Sequence, residues 1–245
     1  AVGNKEPSRQ DFVDNPVNTP IAENLQDIEA GFRFMKKDQL FEANFYHMNY
    51  NDQLVLTGAV NDVGEPVRIN VPKSFRTGIE LQYGMNLGKM WQMALNSTFS
   101  MNKIDSFEET IVSYDGSNNV ENSFSQTDIS FSPNIVAGGV ISFLPLRGLE
   151  ISLLPKYVGK QYLDNTSSDS RSLDAFFVNN LRVNYDFNTR IFKKLTLSLL
   201  VNNLFNTEYE PNGYTYSYKF DSVITENFLY PQAGINFLTA LKLRF

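Results

Sequence analysis

Residues 195–205 read LTLSLLVNNLF, and the final segment, 235–245, reads INFLTALKLRF. In the first segment, apolar residues alternate with Thr196, Ser198 and Asn202. Successive side chains of a β-strand point to opposite faces of the sheet, so this period of two predicts a strand with one apolar face and one polar face. Both segments are therefore predicted to be strands of a sheet.

The same alternation recurs upstream and predicts roughly nine strands in all. Many of them are about ten residues long, which is the length that a tilted strand needs to cross a bilayer. Gly138 and Gly139 blur the pattern in one segment, which is the least regular of the predicted strands. The remaining predicted strands fall within residues 27–34, 41–46, 75–83, 91–101, 135–143, 149–157 and 177–187.

The connections between these strands alternate in length. The short ones span 36–38, 88–89 and 146–148, and the long polar ones span 51–72, 102–132, 159–173 and 208–231. Strands with one apolar face also occur in soluble β-sandwiches, so the strand pattern alone leaves both folds open. Transmembrane β-barrels place short turns at one end and long loops at the other. The connection lengths therefore favour an all-β, antiparallel transmembrane barrel.

The composition excludes several classes of protein. The chain of 245 residues has a net charge of −6, no cysteine and one histidine, His47. An acidic chain lacks the clustered Lys and Arg that a nucleic-acid surface needs. The lack of cysteine excludes disulfides, thiolate nucleophiles and sulfur-ligated zinc. His47 is expected to be an ordinary residue of the strand wall.

No catalytic motif is visible in the sequence. A Gly-rich phosphate loop, a nucleophile elbow and a zinc signature are all missing, and Asp164, Asp169 and Asp174 lack the spacing of an EF-hand loop. We therefore predict neither an enzyme nor a metal site, and no cofactor. No apolar run approaches the ~18 residues of a membrane helix. No signal peptide is visible, which predicts a mature chain or a fragment.

Two C-terminal stretches resemble a known family. Residues 201–210, VNNLFNTEYE, resemble the penultimate strand of TonB-dependent outer-membrane receptors, and residues 230–245, which begin YPQAGINF, resemble their last strand. Residues 158–166, VGKQYLDNT, are similar to the Bacteroidetes-type branch of that family. Upstream, EPSR at 6–9 and ENL at 23–25 are similar to its mid-barrel region.

The resemblance implies a barrel of 22 strands with an N-terminal plug inside it. Residues 1–245 would then be the C-terminal part of a single barrel domain, with roughly nine or ten of its strands and no plug. The implied function is uptake of a metal chelate such as a ferric siderophore, haem or cobalamin, with a preference for the iron-chelate branch. The implied partners are outer-membrane lipid, the barrel-assembly machinery, the missing N-terminal barrel and plug, and the TonB complex through that missing segment.

Aromatic residues are concentrated in the last long connection. A tyrosine offers an apolar ring and a hydroxyl group, which suits the recognition of a chelate or a sugar. The alternative is that these rings pack the loop against its neighbours or form an aromatic girdle. The predicted ligand-binding residues are Tyr209, Tyr214, Tyr216, Tyr218 and Phe228, and Phe220 belongs to the same cluster.

Predictions also concern the C-terminal residue and the charged residues of the strands. The resemblance implies that the terminal Phe245 is a signal for the barrel-assembly machinery, and the alternative is that it is the last lipid-facing residue of a strand. Charged residues on the polar faces of the strands are expected to form a solvated, mutually paired inner wall, with contact to the plug or the substrate route as the alternative. They are Glu29, Arg33, Glu80, Arg182, Lys242 and Arg244.

Two other functions stay open from the sequence. One is a small self-contained barrel that acts as a passive pore or an adhesin. The other is a soluble carbohydrate-binding β-sandwich. The three hypotheses differ in two properties, solubility without detergent and the length of chain that precedes residue 1.

Overall fold

The structure, a computed structural model, describes residues 1–16, 18–187 and 193–245, and nearly all of its regular elements are strands. The strands are β1 (Val2–Lys5), β2 (Glu23–Lys36), β3 (Gln39–Val60), β4 (Pro66–Leu87), β5 (Trp91–Ser113), β6 (Val120–Asp128), β7 (Ile135–Leu146), β8 (Leu149–Val158), β9 (Gln161–Tyr162), β10 (Ser172–Leu173), β11 (Phe176–Phe187), β12 (Lys194–Asn202), β13 (Gly213–Phe220), β14 (Ser222–Leu229) and β15 (Asn236–Arg244). A short helix, α1 (Arg9–Asp14), follows β1, and a 3-10 turn spans Asp169–Arg171.

One antiparallel path runs through the sheet in the order β1-β2-β3-β4-β5-β7-β8-β11-β12-β15. Apart from β1, these strands are the nine that the alternation predicts, so those nine strands and the fold class are confirmed, whereas β6, β13 and β14 were not predicted. Among the described residues, β1 and β15 each pair on one side only, so the sheet has two edges. The structure is therefore an open part of a barrel wall. No helix in the described ranges is long and apolar enough to cross a membrane.

Strand pairing places the apolar residues in continuous rows. Phe45 of β3 lies opposite Ile79 of β4, which lies opposite Phe99 of β5. These three side chains are 45%, 46% and 49% exposed, although burial of such side chains is the main stabilising contribution in a soluble protein. A face with rows of half-exposed aromatic and aliphatic groups fits contact with lipid, as in the exterior of a transmembrane barrel.

The opposite face is polar and partly self-paired. Arg33 of β2 lies opposite Glu42 of β3, and their side chains form an ion pair of 2.8 Å. Glu42 in turn lies opposite Gln82 of β4. Arg182 on β11 pairs with Glu150 on β8 at 3.5 Å. Two of the six charged residues that were expected to form a paired inner wall, Arg33 and Arg182, thus form ion pairs.

Gly139 explains why the alternation is blurred in β7. A Cβ atom at this position would lie 2.5 Å from the carbonyl oxygen of Ala94 and 2.7 Å from Cδ2 of Leu95. Ala94 and Leu95 belong to the neighbouring strand β5, which pairs with β7. A side chain at residue 139 would therefore push β5 and β7 apart. The glycine interrupts the apolar pattern without ending the strand.

The connections alternate in length, as predicted. The short turns at residues 37–38, 88–90 and 147–148 lie at one end of the sheet, and the glycines Gly88 and Gly148 have positive φ values of 64° and 87°. Glycine adopts this left-handed conformation without a steric penalty. Residues 188–192, between β11 and β12, lie outside the described residues. The longer connections lie at the opposite end, called here the long-loop end.

Three of the predicted long loops are wrong in their secondary structure, and one of them, 208–231, contains the hairpin of β13 and β14. Residues 51–72 are mostly strand, because β3 and β4 each run for 22 residues and turn only at residues 61–65. At about 3.3 Å per residue, such strands are roughly 70 Å long, well beyond the ~30 Å hydrocarbon core of a bilayer. The prediction for 102–132 fails in the same way, because β5 continues to Ser113 and pairs with β6.

The ladder between β3 and β4 is interrupted at the point where the loop at 51–72 was predicted to begin and end. Asp52 has a φ of 54°, and the hydrogen-bonded ladder between β3 and β4 skips the pair Asp52 and Pro72. Proline has no N–H group to donate to a ladder. The change in sequence pattern at this point therefore marks an irregularity in a continuing strand and not its end.

The best-packed apolar core lies in this extension beyond the irregularity. Val55, Val71, Ile104, Phe107 and Ile129 form one buried cluster, and Ile69 and Phe124 pack against it. The strand segments nearer the short turns contribute no residue to this cluster. The long-loop end therefore has an internal core of its own, whereas the rest of the sheet carries its apolar residues on one exposed face.

Candidate functional site

The connection between β8 and β11 folds inward and fixes its neighbours. Asn165 is fully buried; its Nδ2 donates to the carbonyl of Leu56 on β3 at 2.7 Å, and its Oδ1 accepts from the backbone N–H of Ser130 at 2.9 Å. Gly58 makes the close approach possible, because a Cβ there would lie 2.6 Å from the carbonyl oxygen of Leu163. This connection is therefore bonded to β3 and to the segment that precedes β7.

An arginine holds the next part of this connection. Arg171 donates from one nitrogen to Asp164 at 2.8 Å and to Glu109 of β5, and all three side chains are largely buried. Burial by itself lowers the pKa of Arg171, but the hydrogen bonds to Asp164 and Glu109 outweigh it and leave the pKa above its ordinary value. The guanidinium stays charged and joins two parts of the long-loop end.

Two of the aspartates considered as calcium ligands, Asp164 and Asp169, each contact a cationic side chain. Asp164 is paired with Arg171, and Asp169 is paired with Lys160. No group of three or more His, Cys, Asp or Glu side chains in the described part of the chain is placed to hold a metal ion.

The hairpin β13–β14 packs through a polar face. Thr215 is buried, and its hydroxyl donates to Oδ1 of Asn227 at 2.7 Å. Nδ2 of Asn227 donates to the carbonyl of Ser170 at 2.7 Å, and Arg171 donates to Oγ1 of Thr225 at 3.4 Å. The side of the hairpin that meets the inward-folded connection is therefore hydroxyl- and amide-rich.

The opposite side of the hairpin carries rings. Tyr214 and Phe228 stack with centroids 4.8 Å apart, Phe228 and Tyr216 lie 5.9 Å apart, and Tyr216 and Tyr218 lie 6.0 Å apart. We call these four residues the aromatic ladder. Tyr216 and Phe228 remain 42% and 38% exposed. An exposed cluster of large apolar groups beside a buried polar face is typical of a binding surface.

An acidic side chain, Glu226, lies beside the aromatic ladder. The Tyr216 hydroxyl donates to Oε2 of Glu226 at 2.7 Å. This hydrogen bond raises the pKa of Tyr216 above its ordinary value. The surface thus combines aromatic faces with a carboxylate that could accept hydrogen bonds from a ligand.

A cavity of about 420 Å³ adjoins the ladder, and we call it the outer pocket. Tyr214 lines it together with Tyr230, Asn212 and Gln161. Tyr214 therefore belongs to both the aromatic ladder and the pocket wall. The volume is within the range of small-molecule sites in proteins.

The predicted residues divide into two groups. Tyr214, Tyr216, Tyr218 and Phe228 lie together, and Phe220 follows them at the exposed tip of β13. Tyr209 lies apart: its ring is 4.5 Å from that of Phe176, and it packs against the buried cluster of Val158, Phe176 and Val178. Phe245 follows β15 at the short-turn end and is largely exposed.

Sequence reasoning missed a segment that borders the site. Residues 129–134, which we call the inner shelf, cross the polar face of the sheet between β6 and β7. Phe131 of this shelf lines the outer pocket and also a second cavity of about 390 Å³, called here the inner cavity. Ser132-Pro133-Asn134 is a turn signal in the sequence, but it does not show where the turn projects.

A family comparison accounts for the geometry described above. The TonB dependent receptor-like, beta-barrel family model matches residues 11–204, well over half of the chain. The chain belongs to this family. It is an outer-membrane β-barrel protein, which confirms the predicted family, fold class and location. The long-loop end is accordingly the extracellular end.

Solved structures of similar fold agree with this assignment. The ferric yersiniabactin uptake receptor FyuA from Yersinia pestis is 18% identical, with a TM-score of 0.62 over 99% of this chain and 34% of that one. The ferric-catecholate import receptor Fiu from E. coli is 16% identical, with a TM-score of 0.63 over 98% and 30%. The copper transporter OprC is 16% identical, with a TM-score of 0.67 over 98% and 36%.

The TonB-dependent receptor barrel described here spans about a third of the length of those structures. At such identities the likeness concerns the fold alone, and the three proteins are named for different cargoes. None of the curated proteins is significantly similar to this chain in sequence. The Bacteroidetes-type branch and the roles of individual loop residues stay predictions.

Proposed function

We propose that this chain is part of an active importer that captures a metal chelate, such as a ferric siderophore, haem or cobalamin, at the extracellular end of the barrel. The observation that carries the proposal is the outer pocket of about 420 Å³ that adjoins the aromatic ladder. It lies in a barrel of the TonB-dependent receptor family. The substrate would be held by many weak contacts, with no bond made or broken, so we infer no enzymatic activity.

The rest of the receptor is proposed to come from chain outside residues 1–245. In the described part of the chain, β1 and β15 each pair on one side only, and lipid cannot satisfy the backbone groups of such edges, so we infer that further strands complete the wall. We propose that residues 1–245 are the C-terminal part of one 22-stranded barrel. The plug and the contact with the TonB complex would belong to the missing part, as would any coupling to cellular energy.

The chemistry of the site suits a ligand with flat, unsaturated groups. Two stacked rings of the aromatic ladder, Tyr214 and Phe228, are almost parallel, with an interplanar angle of 10°. A planar group of a chelate that stacks on an aromatic side chain gains ~0.5–1.5 kcal/mol beyond the area it buries. Tyr216 and Glu226 add a hydroxyl and a carboxylate beside these rings. A sugar ligand would use the same groups, and it is the second candidate.

Binding by the complete receptor in outer-membrane vesicles tests the site. The probes are a ferric catecholate, a ferric hydroxamate, haemin, cobalamin and a neutral oligosaccharide. The double variant Tyr214→Ala, Tyr216→Ala should weaken binding of the preferred probe by about 10- to 100-fold. The control Phe205→Ala removes an exposed ring near the wall residue Phe177 and should leave the affinity unchanged. If the unmodified receptor, the double variant and the Phe205→Ala control all bind the preferred probe with equal affinity, the proposed site is refuted.

Energy dependence separates active import from a passive pore. Uptake of the bound probe into intact cells should stop when the proton-motive force is dissipated, while surface binding persists. Uptake that continues at the same rate would favour the self-contained pore, and binding without any uptake would favour an adhesin.

A further inference from the structure

Arg76 lies on the polar face of β4 and lines the inner cavity. It lies opposite Met48 of β3 and Asn102 of β5, and its side chain is half-buried. The inner cavity is an open depression of about 390 Å³, and Phe131 lines both this cavity and the outer pocket. Arg76 can therefore be reached from the polar side of the wall, beside the outer pocket.

Two neutral groups hold the guanidinium of Arg76. Its Nη1 donates to Oγ of Ser132 at 3.0 Å and to Oδ1 of Asn102 at 3.4 Å. The amide nitrogen of Asn102 donates to Oγ of Ser100 at 3.0 Å. The hydroxyl of Ser132 donates to the carbonyl of Ser130 at 3.1 Å, so both groups face the guanidinium as acceptors. A neutral donor would satisfy them equally well, so these hydrogen bonds do not account for a positive charge at residue 76.

Two other arginines of the polar face have carboxylate partners, whereas Arg76 forms no ion pair with the described residues. Arg33 pairs with Glu42 at 2.8 Å, and Arg182 pairs with Glu150 at 3.5 Å. A guanidinium offers five N–H groups in a planar fork that matches the two oxygens of a carboxylate. The contacts of Arg76 with the wall use one of its three nitrogens. The other two nitrogens are therefore available to an anionic group from outside this part of the chain.

Two acidic residues also line the inner cavity, but neither neutralises Arg76. Glu80 is four residues away on the same strand, a distance of about 13 Å along the backbone. Glu29 lies opposite Tyr46 of β3 and is thus two strands away from β4, at roughly 10 Å. Charges exposed to solvent are largely screened beyond about 8 Å at physiological ionic strength. An anion at Arg76 is therefore only weakly repelled by these carboxylates.

We propose that Arg76 is an anion-binding group of the barrel wall, which takes an anionic oxygen group such as a carboxylate or a catecholate. One source of this group is the imported ligand, and the other is an acidic side chain of the missing plug. The inference rests on the proposed function and deepens it, because it assigns a negative charge to what the receptor holds beside the outer pocket.

Binding to the complete receptor in outer-membrane vesicles tests the ligand as the source. The probes are the anionic ferric catecholate and haemin, and the neutral cobalamin and oligosaccharide. Arg76→Gln should weaken binding of an anionic probe about tenfold, because a charge-assisted hydrogen bond is lost from a partly solvated site. It should leave the affinity for a neutral probe unchanged. Arg76→Lys keeps the charge without the planar fork and should retain part of the affinity.

Hydrogen exchange of the complete receptor tests the plug as the source. If an acidic plug side chain binds Arg76, then Arg76→Gln should speed amide exchange in one segment upstream of residue 1 about tenfold, while the probe affinities stay the same. Arg33→Gln is the matched control for both measurements, because it makes the same change on the same face at a charge that Glu42 already neutralises. The proposal is overturned if Arg76→Gln changes neither the affinity for anionic probes nor the exchange upstream of residue 1.

The anion site and the importer fail separately. If no chelate is bound or imported but upstream exchange follows Arg76 as expected, the proposed function is wrong and the anion site remains. If a chelate is bound and imported but neither measurement depends on Arg76, the anion site alone is wrong.

Discussion

Asn165 and Leu56 are 109 residues apart in the chain, yet Nδ2 of Asn165 donates to the carbonyl of Leu56 at 2.7 Å. The bond joins the inward-folded connection after β8 to the extracellular extension of β3. Because Asn165 also accepts from Ser130, a single fully buried side chain positions the connection and the inner shelf together. The geometry of the outer pocket therefore depends on this amide.

The substitution Asn165→Asp should loosen the extracellular end. A carboxylate cannot donate to the Leu56 carbonyl, and leaving a buried polar group without its partner costs about 1–3 kcal/mol. Hydrogen exchange of residues 159–175 should become faster. The exposed residue Asn118 offers the same change of amide to carboxylate, and Asn118→Asp should leave exchange of residues 159–175 as it was.

Removing the guanidinium of Arg171 should also destabilise this end. The variant Arg171→Leu leaves the largely buried Asp164 and Glu109 without their cationic partner, which costs about 3–5 kcal/mol. Adding Glu109→Gln removes one of the two charges and should recover part of the loss. The free energy of unfolding of the extracellular end can be measured for both variants by denaturant titration, with protease cleavage as the readout. A double variant no more stable than Arg171→Leu alone would contradict the ion-pair explanation.

The contact of Asp115 with the hairpin tip should depend on pH. Hydrogen bonds from Ser117, Ser113 and the backbone N–H of Asp221 hold the pKa of Asp115 well below its ordinary value. A depressed folded-state pKa means that the stabilising contribution is complete above the unfolded pKa of about 3.9 and is lost progressively as the pH falls from there through the lowered folded-state pKa. Spin labels at Asn118→Cys and Val223→Cys should therefore show a broader distance distribution in acid.

Asp115→Asn is the control for that pH dependence. It should give the broad distribution at every pH, since the amide lacks the charge that the three donors stabilise. A distribution that broadens in acid to the same extent in the Asp115→Asn protein would show that another group is responsible.

Apolar residues of the extracellular core should contribute more to the stability of the extracellular end than lipid-facing residues do. Ile104 is 0% exposed in the extracellular core, so Ile104→Ala should cost about 2–4 kcal/mol through lost burial and a cavity. Leu197 lies on the lipid-facing side and is almost half exposed, so Leu197→Ala should cost less in this assay. The rate of limited proteolysis at the extracellular end distinguishes the two variants. Equal sensitivity of the two variants would be inconsistent with a separate extracellular core.

The sequence predicted the membrane-spanning strands well because lipid imposes a period of two on each of them. The residues that alternate around Leu197 and Phe45 are on the predicted face in the structure. The extracellular part was predicted less well. There, strands continue past Asp52 and Pro72, and a sheet that buries different sides along its length gives no simple alternation.

The candidate site was only partly predictable, because contacts between distant segments of the chain decide which residues reach it. Tyr214, Tyr216, Tyr218 and Phe228 were predicted to lie on one loop, but the hairpin of β13 and β14 that brings them together was not predicted. Tyr209 is on the same connection but packs against Phe176 instead. Phe131 carries no composition signal at all, because its position depends on hydrogen bonds between segments that are distant in the chain.

The orientation of the sheet is the central claim, and nitroxide labels on neighbouring residues test it most directly. In the complete receptor in lipid bilayers, labels at Leu197, Val183 and Leu241 should collide with oxygen dissolved in the lipid. A label at Ser198, on the opposite face of the same strand, should instead be reached by a water-soluble nickel chelate. Labels at the three apolar positions that are shielded from oxygen, as in a dry protein interior, would contradict the assignment.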